Sequence, residues 1–265
     1  MNTTTHAGIG AITVVTAAIG GVVLLGTAAS AAVTGSAQLS RSDETRTSDV
    51  RGVRTIDVDV DGADLTVRFD GSDEARLDVS GVDARGWSLE RDGDRLVVRG
   101  PDHRWDWFGP DWLRAGTTAT LLLPDELEGA DADLSLQAGA LDVDGEFGAI
   151  GVDVGAGSLT LDGAATSLDA RVSAGRADIT LDGVEQAEYR VSAGRLVSEL
   201  TTVPDAVDLT VEAGSLVLTI PDAEYDVRAN REAGSFRSDL TEADDAASTI
   251  TATVSAGSIE LHPAR

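Results

Sequence analysis

The chain has no cysteine and no lysine. The first absence excludes a disulfide framework, thiol catalysis and a cysteine-ligated zinc site. The second leaves arginine to carry nearly all the positive charge. Lysine plus arginine number 20 against 46 acids, a net charge of −26. So acidic a chain repels a phosphate backbone, which excludes nucleic acid as a partner. Arginine without lysine, together with heavy use of Ala, Gly and Asp, reflects GC-rich coding rather than function. Histidine is scarce: His6, His103 and His262 lie far apart in the sequence. There is no Ser-His-Asp, His-Glu-x-x-His or phosphate-loop pattern, and neither an EF-hand loop nor a Gly-Gly-x-Gly-x-Asp calcium repeat. Acidic runs such as Asp57, Asp59 and Asp61, or Asp142, Asp144 and Asp153, read as ladders on a solvated face. No catalytic residue, metal site or cofactor is assigned, and the chain reads as a non-enzyme.

What is present is a repeat. Ala-Gly pairs end at Gly139, Gly157, Gly175, Gly194, Gly214, Gly234 and Gly257, at spacings of 18, 18, 19, 20, 20 and 23. A near-constant period of this length is the signature of a stacked architecture. Around each pair the apolar residues alternate. Leu168, Ala170, Val172 and Ala174 precede Gly175, and Ala177, Ile179 and Leu181 follow it. Period-2 alternation marks a strand with one buried face. Each repeat is thus two strands joined at a corner. Alanine is expected to face inward there, and glycine to supply the bend through a positive φ. Asp144-Gly145, Asp162-Gly163 and Asp182-Gly183 mark a second corner. The fold class expected is all-β, a β-solenoid of roughly 20-residue two-strand coils in which each coil stacks on the next. An antiparallel meander explains the alternation equally well, but not corners that recur in step. Arg231 breaks the pattern, standing where Val172, Val191, Val211 and Val254 stand. A bulge that turns it outward is the expectation, because a buried unpaired guanidinium is costly.

Three segments divide the chain. Residues 1–34 hold an uncharged apolar stretch, 7–33, long enough to cross a bilayer as one hydrophobic helix. Ala29-Ser30-Ala31 would suit signal cleavage, and the alternative is an uncleaved anchor. Arg41, Arg46, Arg51 and Arg54 follow the stretch, which on charge alone favours a cytoplasmic C-terminal side. Residues 35–54 are polar and aperiodic, a linker. Residues 55–265 form the repeat domain, in which Trp87 to Val98 reads as a hairpin turning at Asp92-Gly93. A Trp-rich loop interrupts it at 102–114. Trp105, Trp107, Phe108 and Trp112 cluster there and are the candidate binding residues, since clustered aromatics dock on glycans, lipids or proteins. The other reading of this loop is a cap over an open end.

The runs Ser173-Ala-Gly-Arg-Ala-Asp-Ile-Thr-Leu, Glu212-Ala-Gly-Ser-Leu-Val-Leu and Ser255-Ala-Gly-Ser-Ile-Glu-Leu resemble the putative-adhesin β-strand-repeat domain of actinobacterial and firmicute envelope proteins. That resemblance, over residues 55–261, implies a non-enzymatic, membrane-anchored, extracytoplasmic module, adhesin-like or associated with envelope stress. It implies a single-pass protein held in the cell membrane by residues 7–33, with an envelope glycan or protein as partner. The alternative function is a polysaccharide-processing β-helix enzyme, favoured if a carboxylate pair shares a groove with exposed tryptophan.

Overall fold

The computed structural model describes residues 42–81, 84–101 and 117–264. In chain order the strands are β1 (Ser42–Ser48), β2 (Thr55–Asp70), β3 (Ala75–Gly81), β4 (Ser88–Asp92), β5 (Arg95–Arg99), β6 (Thr118–Pro124), β7 (Asp131–Glu146), β8 (Ala149–Val154), β9 (Ser158–Ala164) and β10 (Ser167–Val172). They continue as β11 (Arg176–Asp182), β12 (Gln186–Val191), β13 (Arg195–Leu200), β14 (Ala206–Val211), β15 (Ser215–Ile220), β16 (Glu224–Arg231), β17 (Ser235–Ser238), β18 (Thr241–Glu242), β19 (Ser248–Val254) and β20 (Ser258–Pro263). The described chain is all-β, with no α-helix and only short 3-10 turns. The apolar stretch 7–33 and the Trp-rich loop lie outside the described residues. Among those described, no helix is long and apolar enough to cross a membrane.

From β7 onward every pairing is parallel, and each pass of the chain gives one strand to each of two ladders. The first ladder runs β2, β7, β8, β10, β12, β14, β19, β16. The second runs β2, β7, β9, β11, β13, β15, β20, β17. Both β2 and β7 are 16 residues long and run through the two ladders, so hydrogen bonds join all the strands into one 20-stranded sheet. At the crossing, the pairing of β2 with β7 shifts register between Val60 and Asp61 and again between Asp61 and Ala63. Parallel pairing rules out the antiparallel meander for these passes.

The alternation read from the sequence explains the packing. Residues in one register column lie side by side, about 4.8 Å apart. One such column is Val60, Leu136, Val154, Val172, Val191, Val211 and Val254, each at most 1% exposed. The inward columns of both ladders belong to a single apolar cluster. One polar pair crosses it: the Tyr189 and Ser198 hydroxyls are hydrogen-bonded at 2.8 Å, both side chains fully buried. Ala170, next to Tyr189 in its column, leaves room for the ring.

Residues 42–124 are built differently. β1 pairs antiparallel with β3, β3 with β6, and β4 with β5. The β4–β5 hairpin turns at Gly93, φ 64°, as Asp92-Gly93 foretold. β5 and β6 then join β2 in parallel and carry this part onto the ladders.

The corners overturn two expectations. Ala156, Ala174, Ala193, Ala213, Ala233 and Ala256 are exposed, not inward. Each bend spans a Ser-Ala-Gly type triplet, and the alanine turns out while its amide bonds the pass beneath. Ala174 N donates to Gly155 O at 2.8 Å, and Ala193 N to Ser173 O at 2.7 Å. The glycine is the residue under steric pressure. A Cβ on Gly175 would lie 2.4 Å from Gly157 O, and one on Gly194 would lie 2.5 Å from Gly175 O. Among the glycines of the Ala-Gly corners only Gly139 has a positive φ, 96°, whereas at the second corners Gly163 and Gly183 do, at 140° and 75°. Close approach between passes, rather than a left-handed bend, is what requires glycine at Gly157, Gly175, Gly194, Gly214, Gly234 and Gly257.

The passes also do not stack in chain order to the end. β14 pairs with β19 and β15 with β20, so the pass 248–263 sits between 206–220 and 224–238. Gly257 therefore packs on Gly214, and Gly234 on Gly257. Arg231 lies in unbroken register with Val254, so no bulge exists there. It is exposed because its pass is the outermost.

Candidate interaction surface

The outward columns of the first ladder carry an ordered set of charges. One column runs Asp57, Asp133, Gly151, Asp169, Glu188, Asp208, Thr251 and Arg228. Its neighbour includes Ser135, Asp153, Arg171, Arg190, Thr210, Thr253 and Asn230. In-register parallel strands put like charges side by side, which is unfavourable unless neutralised. Arginines supply the neutralisation. Arg95 Nη1 reaches Asp57 Oδ2 at 3.2 Å and Asp133 Oδ2 at 3.3 Å. Its hydrogen bond to Asp57 is the main reason its pKa is raised. Arg171 holds Asp169 at 2.6 Å. Arg190 pairs with Glu188 on its own strand and stands 3.6 Å from Asp169. Asp169 Oδ1 and Arg190 Nη1, the two atoms of that longer contact, are shielded from solvent without a hydrogen bond to any group. Solvent reaches every side chain of this network, so its pairs add little to stability. The network's value lies in the pattern it presents.

Gly151 interrupts the acidic column, and no side chain fills the gap. With Ala149, Ser167 and Ala206 it floors a shallow groove of about 630 Å³ walled by Arg95, Asp133, Asp169, Glu188 and Asp208. The groove has carboxylates and guanidinium groups but no histidine, no hydroxyl paired with a base and no aromatic ring among its described lining. Among the described residues no three acidic or histidine side chains converge as metal ligands. This surface presents carboxylates and guanidinium groups side by side along the stacking direction.

The acidic ladders of the sequence fall on different faces. Asp142 and Asp144 lie on the second ladder and share Arg68, whose Nη2 and Nη1 reach them at 3.0 and 2.9 Å. Asp153 lies on the first ladder, so the three do not form one column. Trp105, Trp107, Phe108 and Trp112 lie outside the described residues. Trp87 is only 2% exposed, and its ring N–H has no hydrogen-bond partner. His262, on β20, faces Asp239 at 3.1 Å. Asp169, Glu188, Arg190 and Asp208 were not singled out from the sequence. Aligning the repeats on their Ala-Gly pairs and reading outward positions down each column would have found them.

No family model matches the chain, and no curated protein matches it. Solved structures do. A putative adhesin of Bacteroides fragilis superposes with a TM-score of 0.51 at 16% identity, covering 85% of this chain and 100% of its own. A putative lipid binding protein of Parabacteroides distasonis superposes at 0.50 and 13% identity, covering 83% and 96%. A putative cell adhesion protein of Clostridium sporogenes gives 0.41 at 8% identity, covering 85% and 100%. At these identities the likeness is one of fold: this chain shares an all-β architecture with bacterial proteins described as putative adhesins.

Proposed function

We propose that this protein is a non-enzymatic, adhesin-like interaction module of the bacterial envelope. In this reading the double ladder is a β-solenoid body. Residues 7–33 form a single-pass anchor, and the folded body that begins at β1, inside the stretch expected as a linker, stands outside the cytoplasm. The partner is an envelope glycan or protein. The observation that carries the reading is the set of charged columns on parallel, in-register strands. A rigid surface that repeats along one axis suits extended or multivalent contact, in which weak interactions add through effective concentration. The fold shared with the Bacteroides fragilis protein supports the same class of role. The polysaccharide-processing alternative finds less support, because no aromatic ring stands beside the groove's carboxylates among the described residues to carry a sugar.

Protease shaving of intact cells tests the reading. With an antibody raised against residues 131–263, the repeat domain should disappear from intact cells. A domain protected until the cells are lysed would overturn it.

A further inference from the structure

The outermost pass differs from those beneath it at the positions that face the core. Arg231 continues the column of Val172, Val191, Val211 and Val254, and it is exposed. Ser238 continues the column of Leu218 and Leu261. Ala229 and Arg231 are both exposed although their register partners Ala252 and Val254 are buried. Beyond β16 and β17, the only strand paired on this side among the described residues is β18, which meets β16 at Glu224 and Tyr225 alone. There the turn closes over the edge: Ala243 N donates to Tyr225 O at 3.0 Å, and Tyr225 is fully buried. Among the described residues the end is thus closed by chain on one side and left uncovered on the other, where Arg231 and Ser238 stand among the apolar inward residues Ala229 and Phe236.

We propose that the β16–β17 pass terminates the double ladder, and that Arg231, assisted by Ser238, bars a second copy of this chain from adding to it. An open parallel edge is a template for further strands. The strands suited to it are those with the same columns and the same glycine corner, which another copy supplies. Valine at 231 and leucine at 238 would complete an apolar end ready to be covered. The guanidinium instead has to be desolvated without a buried partner when a strand is laid over it, and that penalty outweighs the apolar gain. The chain order supports a dedicated role. The pass 224–238 is made before 248–263 yet ends outside it, so the outermost place goes to the pass that sets Arg231 and Ser238 among the inward positions Val227, Ala229 and Phe236.

The test compares Arg231→Val, Ser238→Leu and the double variant with wild type by sedimentation velocity and light scattering over a concentration series. Far-UV circular dichroism confirms folding. Arg176→Val serves as a control, because Arg176 is exposed on an outward position of β11 and its loss removes the same charge. The expected result is a weight-average mass that at least doubles with concentration for the double variant and Arg231→Val, while wild type and Arg176→Val stay together. Folded Arg231→Val and double variants with the mass of wild type would overturn the proposal. Equal association by Arg176→Val would overturn it too, and so would a wild-type association that Arg231→Glu abolishes.

Discussion

Replacing Gly175 with alanine separates two explanations for a corner glycine. If glycine were there for its backbone freedom, the cost would be that of an L-residue in a left-handed conformation, ~1–2 kcal/mol. Gly175 does not lie in that region, and its new Cβ would sit 2.4 Å from Gly157 O, 2.7 Å from Val154 Cγ1 and 3.1 Å from Gly157 N. Two of those neighbours are backbone atoms, which no rotamer change can move. Relief requires the two passes to separate, which stretches interstrand bonds such as Arg176 N to Gly157 O at 2.9 Å. Overpacking of this kind costs ~1–3 kcal/mol and more when backbone must shift, so about 3 kcal/mol is expected. For a domain of this size that corresponds to a loss of about 6–12 °C in Tm. Gly93 is the matched comparison. It has φ 64° and open space around its Cβ position, so Gly93→Ala should show the conformational cost alone. Urea unfolding of both variants, with the m-value checked against wild type, reads the difference. A Gly175→Ala protein within about 0.5 kcal/mol of wild type would refute the close-approach argument. So would Gly93→Ala proving the more damaging substitution.

The buried Tyr189–Ser198 pair should behave as a unit. Tyr189→Phe leaves the Ser198 hydroxyl unsatisfied and should cost about 1–3 kcal/mol, whereas Tyr189→Phe with Ser198→Ala should recover part of it, as a double-mutant cycle would show. Burial raises the Tyr189 pKa, against the opposing hydrogen bond from Ser198. The folded state therefore keeps a proton that the unfolded state loses, so stability falls as pH rises above ~10, by up to about 1.4 kcal/mol per pH unit for this group. The urea midpoint between pH 9 and 12 should show that decline and flatten in Tyr189→Phe; an unchanged slope would count against it. For the aromatic loop, Trp87→Phe removes the one tryptophan known to be buried, so acrylamide quenching then reports on Trp105, Trp107 and Trp112. Strong quenching with Trp107→Ala within about 0.5 kcal/mol of wild type supports a contact loop, and protection with a loss of about 3–5 kcal/mol supports a cap.

The repeat was legible because it is written twice, as apolar alternation and as a recurring dipeptide. That was enough to place β8 to β15 and the hairpin at Gly93. The direction of Ala174 was not legible. Alternation continues through Val172 to Ala174 on paper, but the bend begins one residue earlier and reverses the face. The role of Gly175 was misassigned for a related reason: a sequence shows a residue without a side chain, not the neighbouring carbonyl that excludes one. The order of the last passes was hidden because strands of equal pattern can pair in any order. Two signs pointed to it, the spacing that lengthens to 23 before Gly257 and the arginine in a valine column. The charged groove was missed because its members are 18 to 20 residues apart and only the registers bring them together.

The inserted pass has a consequence for how the molecule is made. A ribosome delivers residues 224–238 before 248–263, yet the edge on which β16 and β17 rest belongs to β19 and β20. Until those later residues emerge, the earlier pass has no seat of its own, and the edge of β14 and β15 stands open beside it. A premature stop after Ala247 would therefore orphan the pass before it as well as delete one. Seven register partners on β16 and four on β17 would be lost with residues that remain in the chain. The shortest product able to close that end of the ladder must include Leu261, the register partner of Ser238.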